Sequence, residues 1–211
     1  MRNRKLKITE MGRMNAEEFK ASKKMPLIVV LDDVRSMYNV GSVFRTSDAF
    51  RVEAICLCGI TAQPPHAEIH KTALGAEDTV AWTHFPSALE AVHDLKAKGY
   101  MVYAIEQCEG SIPLQTLHTQ LQALSSTHPN APYAIVLGNE VKGVHQDVVE
   151  ASDGCIEIPQ FGTKHSLNVS TTAGIVIWEF AQQLLIGTHT TTDEPQKQET
   201  NGKERETKDE R

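Results

Sequence analysis

At 211 residues, 40% of them hydrophobic and with a formal net charge of −6, the chain has the size and composition of one ordinary globular domain. The negative balance speaks against nucleic-acid binding through bulk charge. No apolar run approaches the ~20 residues that span a bilayer, so a cytoplasmic protein without a membrane segment is expected.

In chain order, residues 1–25 form a basic extension, with Arg2, Arg4, Lys5, Lys7, Arg13, Lys20, Lys23 and Lys24 against Glu10, Glu17 and Glu18. It reads either as a phosphate-contacting arm or as a solvated terminus. Pro26 to Asp32 is a continuous aliphatic run that predicts a buried strand. A helix is predicted to start near Asn39, with Val40, Val43, Phe44 and Ser47 as its packing stripe. Further strands are predicted at 54–58, 80–84, 100–105, 133–137 and 154–158, with helical patterns at 86–98 and 168–185. Residues 110–132 read as a helix or loop excursion, and the polar tail over 189–211 is predicted to be disordered. Strands alternating with helices argue for an α/β fold with a mostly parallel sheet covered on both faces.

The four cysteines, Cys56, Cys58, Cys108 and Cys155, contain no C-x-x-C pair and read as packed free thiols. His66 and His70 are spaced to share a helix face, but after Pro64-Pro65 a solvated helix start is the better reading, and no metal is expected. The first strand is followed by no Gly-rich loop, which argues against a Rossmann cofactor site, and the chain has no Walker loop.

Three polar segments carry the chemistry. The first is Asn39-Val40-Gly41-Ser42-Val43-Phe44-Arg45, where Gly41, Arg45 and Asp48 fall on one side of the predicted helix. Glycine there suggests that something approaches the backbone closely, with Arg45 projecting toward a substrate, while Asn39 alone reads as an N-cap. The second is Leu137-Gly138-Asn139-Glu140, a buried strand ending in a Gly-flanked turn that carries a carboxylate. In open α/β sheets ligands bind beyond the carboxyl ends of strands, which suits Glu140. The third joins Ile158-Pro159-Gln160 to Ser166-Leu167-Asn168-Val169-Ser170, where Ser166 or Asn168 is available to cap a helix.

Taken in this order, the segments resemble the signature motifs of the SpoU/TrmH family of the SPOUT superfamily, over roughly residues 26 to 186 of a 26–188 methyltransferase domain. The resemblance implies an RNA ribose 2′-O-methyltransferase that uses S-adenosylmethionine, a C-terminal trefoil knot, and a homodimer with the active site at its interface. It implies a cofactor pocket built from Gly138, Ile158, Ser166 and Leu167, with the end of the Ile105-Glu106 strand as another wall. It gives Arg45 the activation of the ribose hydroxyl, with Asn39, Glu140, Ser166 and Asn168 as positioning groups. A guanidinium with a pKa above ~12 is a poor base, so electrostatic stabilisation of the developing alkoxide suits Arg45 better. His165 is a local alternative for proton transfer. Transfer RNA is the favoured substrate and ribosomal RNA the second. The competing readings are a knotted RNA-binding protein without turnover and a base methyltransferase.

Overall fold

The computed structural model describes residues 4–128 and 130–186. Arg2 of the basic extension and the whole 189–211 tail lie outside the described residues. Seven strands form one sheet: β1 (Met25–Asp32), β2 (Val52–Cys58), β3 (Ala81–Phe85), β4 (Met101–Ile105), β5 (Ile112–Pro113), β6 (Tyr133–Leu137) and β7 (Gly154–Glu157). All pairings are parallel and the order is β3-β2-β1-β6-β4-β7-β5.

Because successive side chains on a strand point to opposite faces, each central strand feeds two cores. Leu27, Val29 and Leu31 of β1 join Tyr133, Ile135 and Leu137 of β6 in a large core on one face. That face is covered by α1 (Ala16–Ala21), α2 (Met37–Ala49), α3 (Ala67–Ala73), α4 (Ala76–Thr79), α6 (Leu117–Thr127) and α8 (Val169–Ala181). Ile28 and Val30, with Ala134 and Val136, face the smaller core under α5 (Ala88–Ala97) and α7 (Gln146–Ala151). Alanines and valines dominate that second face, which lets these two helices lie close to the sheet.

The helix ends follow capping chemistry. Asn15 and Glu18 form a reciprocal capping box on α1, and Phe19 anchors that short helix in the main core. The basic extension is therefore not wholly a free arm, because its last turn is packed. Ser87 caps α5 through the Glu90 N–H. The short helix α4, the two-residue strand β5 and α7 have no counterpart among the predicted elements, whereas α3 stands at the helix start expected after Pro64-Pro65, with His66 as its cap.

Two expectations about α2 are corrected. The helix begins at Met37 with Ser36 as N-cap, its hydroxyl accepting from the Asn39 N–H at 3.3 Å, so Asn39 lies inside the first turn. Gly41 is buried, and a Cβ there would stand 2.2 Å from the Ile69 carbonyl oxygen and 2.2 Å from the Thr72 hydroxyl. What approaches the glycine is helix α3 and not a substrate. Asp48, predicted on the same side, accepts a hydrogen bond from Thr79 of α4 at 2.7 Å.

The membrane expectation also needs refinement, since Val169–Ile186 is an 18-residue helical stretch long and apolar enough to cross a bilayer by length and composition. Its Val169, Ala173, Val176, Ile177 and Phe180 are buried in the main core, which ties that face to the sheet. Its other side leaves Ile175 and Trp178 in solvent, 38% and 46% exposed.

Candidate active site

A cavity of about 790 Å³ opens beyond the carboxyl ends of β4, β6 and β7. Ile105, Leu137 and Ile156, the strand ends, form an apolar floor. The walls are the three loops that leave those strands, and Glu106, Gly138, Glu140, Ile158, Ser166 and Leu167 all line them. The volume is that of a small-molecule site, and around the apolar floor the lining is largely polar, with Glu106, Glu140, Glu157 and Lys142 among its charged groups.

The loop after β6 owes its shape to two glycines and a buried amide. Gly138 has no room for a side chain, since a Cβ would lie 2.0 to 2.3 Å from the backbone of Gly143 and Val144. Asn139 and Gly143 exchange backbone hydrogen bonds at 3.0 and 2.9 Å, and Gly143 takes φ +70°, a conformation that glycine adopts without a steric penalty. The Asn139 side chain is 7% exposed; it donates to the Asp33 carbonyl at 2.8 Å and accepts from the Val141 N–H at 2.8 Å. Sequence reasoning quoted Asn139 without giving it a role. Its signal was present, because a buried amide able to satisfy both ends is suited to bracing a turn.

The segment after β4 braces the same loop from the other side. The Glu106 carboxylate accepts from the Val144 N–H at 3.1 Å and from the Gln107 N–H at 2.9 Å, so this wall residue is committed to backbone. Gln107 donates to the His165 carbonyl at 2.9 Å and thereby ties the second motif's support to the third motif's loop.

The three motifs meet in one hydrogen-bonded line. The Asn168 side-chain Oδ1 caps α8 by accepting from the Ser170 and Thr171 N–H groups, which turns its NH₂ toward Asn39. That NH₂ donates to the Asn39 Oδ1 at 3.1 Å, and the Asn39 NH₂ in turn donates to the Glu140 Oε1 at 3.0 Å. The polarity of the line is set at both ends, by a helix cap and by a carboxylate. Of the two capping candidates in the third motif, Asn168 takes the role, and Ser166 is left facing the cavity.

Glu140 also accepts from the Arg35 and Ser36 N–H groups, each at 3.3 Å, at the positive end of α2. Burial pushes its carboxyl upward. Hydrogen bonds from its own N–H, the Asn39 amide and the Arg35 and Ser36 N–H groups outweigh that, and its pKa falls below the ordinary carboxylate value. An ionised Glu140 is the consequence.

Arg45 stands apart from this cluster. It is exposed on α2, six residues and about 9 Å along the axis from Asn39, and is not among the cavity's lining residues. Neither a hydrogen bond nor an ion pair to the described residues holds its guanidinium. Phe161, on the loop after β7 and next in sequence to the cavity-lining Gln160, is 96% exposed. Sequence reasoning assigned it nothing.

His145 closes the second motif's loop. Its ring Nδ1 lies 2.8 Å from the buried Asp32 carboxylate, and its N–H donates to the same group at 3.0 Å. The Asp32 hydrogen bond and charge raise its pKa, partial burial opposes them, and Asp33 and Asp147 add to the rise. Asp32, Asp33 and His145 lie close enough to share an ion, but the Asp32 oxygens and His145 are committed to each other. His66 and His70 do not converge: His66 caps α3 through the Glu68 N–H, and His70 pairs with Glu77.

A model of the SpoU rRNA Methylase family matches residues 26–178. The 23S rRNA (guanosine-2′-O-)-methyltransferase RlmB of Nitrosomonas europaea is 33% identical over 157 residues, 74% of this chain and 56% of that protein. The tRNA (guanosine(18)-2′-O)-methyltransferase of Thermus thermophilus is 29% identical over 177 residues, 84% of this chain and 85% of that protein. The AdoMet-bound rRNA methyltransferase from Sinorhizobium meliloti superposes with a TM-score of 0.67 at 25% identity, over 79% of this chain and 60% of that one. This chain thus spans little more than half the length of the RlmB relative. The family match covers β1 through most of α8 and takes in the three motif segments joined by Glu140, Asn39 and Asn168, so the chain belongs to the SpoU methylase family.

Proposed function

We propose that this chain transfers a methyl group from S-adenosylmethionine to a ribose 2′-hydroxyl of RNA. The observation that carries the reading is the line Glu140–Asn39–Asn168 at the rim of the cavity lined by Gly138, Ile158, Ser166 and Leu167. The cavity fits the cofactor's chemistry, with an apolar floor for an adenine ring and backbone and hydroxyl groups along its walls. Glu106, Gly138, Ile158, Ser166 and Leu167 would hold it. When bound, it supplies an electrophilic methyl on a sulfonium.

The chain's own residues do the rest by positioning. The ionised Glu140, fixed by α2 and by Asn39, sets the orientation of both asparagines and hence the mutual placement of the two loops. A well-oriented alcohol and methyl donor gain several kcal/mol over a free encounter. Arg45 binds the phosphate next to the target ribose and stabilises the developing alkoxide, a task for a planar, permanently charged fork.

Since Arg45 is remote from the cavity of its own chain, it serves the cavity of a second copy. The exposed Ile175 and Trp178 on α8, with the neighbouring Phe50 ring 5.7 Å from Trp178, support a homodimer built on that face. A trefoil knot in the C-terminal part belongs to the same reading. It is supported by the likeness to the S. meliloti enzyme and by the insertion of β6 and β7 on either side of β4. Transfer RNA is the proposed substrate, supported by the match over 85% of the Thermus tRNA enzyme, with ribosomal RNA second on the RlmB likeness. The test is incubation with S-adenosylmethionine carrying a labelled methyl and with transfer or ribosomal RNA, followed by nucleoside mass spectrometry. Label on a ribose 2′-oxygen is expected; label on a base, or none on either RNA, overturns the proposal.

A further inference from the structure

Cys108 follows β4, and Cys155 lies on β7. The parallel register that sets Ala104 opposite Cys155 brings the two thiols to an Sγ–Sγ distance of 3.0 Å. Both residues are partly accessible, and Cys108 lines the cavity. We propose that Cys108 and Cys155 are a reversible redox pair whose disulfide weakens cofactor binding in the adjacent cavity. The coupling to the cofactor rests on the function proposed above; the bond itself does not.

The step needs a two-electron oxidant, and a hydroperoxide supplies it. The Cys108 thiolate attacks the peroxide, the O–O bond breaks, and Cys108 becomes a sulfenic acid while the leaving oxygen departs as water or an alcohol. The Cys155 sulfur then attacks the Cys108 sulfur, the S–O bond breaks, and the hydroxide takes up the Cys155 proton as a second water. Two thiols have lost two protons and two electrons. A dithiol reductant reverses the step by exchange. The order follows from the surroundings: burial and the hydrogen bond to Cys108 push the Cys155 thiol up to about 12, which suits it to resolve and not to initiate.

The bond reaches the cavity because segment 106–108 is tied to two of the loops that wall it. A disulfide closes the sulfurs to ~2.05 Å, a movement of about 1 Å from their present separation. The same segment is held to the second motif's loop by the 3.1 Å bond between Val144 and Glu106, and to the third motif's loop by the 2.9 Å bond between Gln107 and His165. The part of that shift that the Cys108 backbone takes up stretches these two bonds and displaces the loops they hold. Cys56 and Cys58 provide an internal control, since both are buried and burial pushes the Cys56 thiol up to about 12 and Cys58 further in the same direction.

The experiment uses the full chain, reduced and then treated with a stoichiometric amount of hydrogen peroxide. Free thiols are counted, peptides are mapped by mass spectrometry, and S-adenosylmethionine is titrated calorimetrically before and after. Two of the four thiols should disappear into a Cys108–Cys155 linkage within one chain. The dissociation constant should rise about tenfold, the upper end of one hydrogen bond's usual net worth, and a dithiol should restore it. Cys155→Ser should bind as the parent does when reduced and stay unchanged after the same peroxide dose. Retention of all four thiols, a bridge between chains, an unchanged affinity in the bridged parent, or an equal loss in Cys155→Ser each overturns the proposal. A bridge that forms in a parent with no affinity for the cofactor refutes the cofactor reading and the coupling with it, while the redox pair stands.

Discussion

Asn168 performs two tasks that substitution can separate. Its oxygen caps the 13-residue α8, and its NH₂ orients Asn39. Asn168→Ala removes both, and loss of an N-cap costs about 1 kcal/mol, which for a domain of this size lowers Tm by roughly 2–4 °C. Asn168→Asp keeps a capping oxygen and adds a negative charge at the helix's positive end, so the melt should match the parent's or lie slightly above it. The line to Glu140 does not survive that change. An Asn39 amide placed between two carboxylates must present its carbonyl oxygen to one of them, whichever way it is turned, because only one end carries donors. Asn168→Asp should therefore fold normally and lose most methyl transfer in single-turnover assays, while Asn168→Ala loses both stability and activity. Parent-like transfer by Asn168→Asp, with a normal melt, refutes the claim that the amide line positions the reaction.

Gly41→Ala should destabilise the protein, because the new Cβ meets a backbone carbonyl of α3 at 2.2 Å; overpacking costs ~1–3 kcal/mol and alanine's helix preference returns only ~1, so a raised Tm contradicts the packing argument. Arg45→Ala and Arg45→Lys should melt and bind S-adenosylmethionine as the parent does yet lose most transfer to RNA, since neither keeps the bidentate fork; normal turnover in Arg45→Ala removes the arginine from the reaction. The raised pKa of His145 means that its pairing with Asp32 stabilises fully below the unfolded value of ~6.5 and fades as pH rises through the higher folded value. Melting temperature should accordingly fall as pH rises above about 6.5 in the parent and fall less in Asp32→Asn; equal slopes contradict the linkage.

Long apolar runs were legible in the sequence, and short elements were not. β6 was predicted at 133–137 and stands there, because a strand buried on both faces reads as an unbroken aliphatic run. α4 and α7, with four and six residues, are too short for a 3.6-residue period to declare itself, and of α3 only the start after Pro64-Pro65 was legible. Within the site, Glu140, Asn39 and Asn168 were recognisable as a set, but their order of contact depends on β6 pairing with β1, which no local pattern encodes. Asn39 was read alone as a cap, and Ser36, an equally good capping residue three positions earlier, holds that place. Tertiary structure decides between them, since Glu140 claims the Asn39 amide. Asp48 and Gly41 were assigned to a substrate face for a related reason: a helix wheel shows which residues share a side and not what covers it.

The strand order has a consequence for biosynthesis. β1 and β4 are never neighbours, because β6 lies between them. A nascent chain that ends before Tyr133 holds two sheet fragments, β1-β2-β3 and an isolated β4, with nothing to join them, and their bulky apolar edges stay open until β6 is made. Pairings this distant in sequence close slowly and leave strand edges exposed meanwhile. The interval between synthesis of residue 105 and residue 137 is then the period in which the chain most needs protection from aggregation. Truncations within that interval should be insoluble, whereas removal of residues 187–211 leaves every strand its partner.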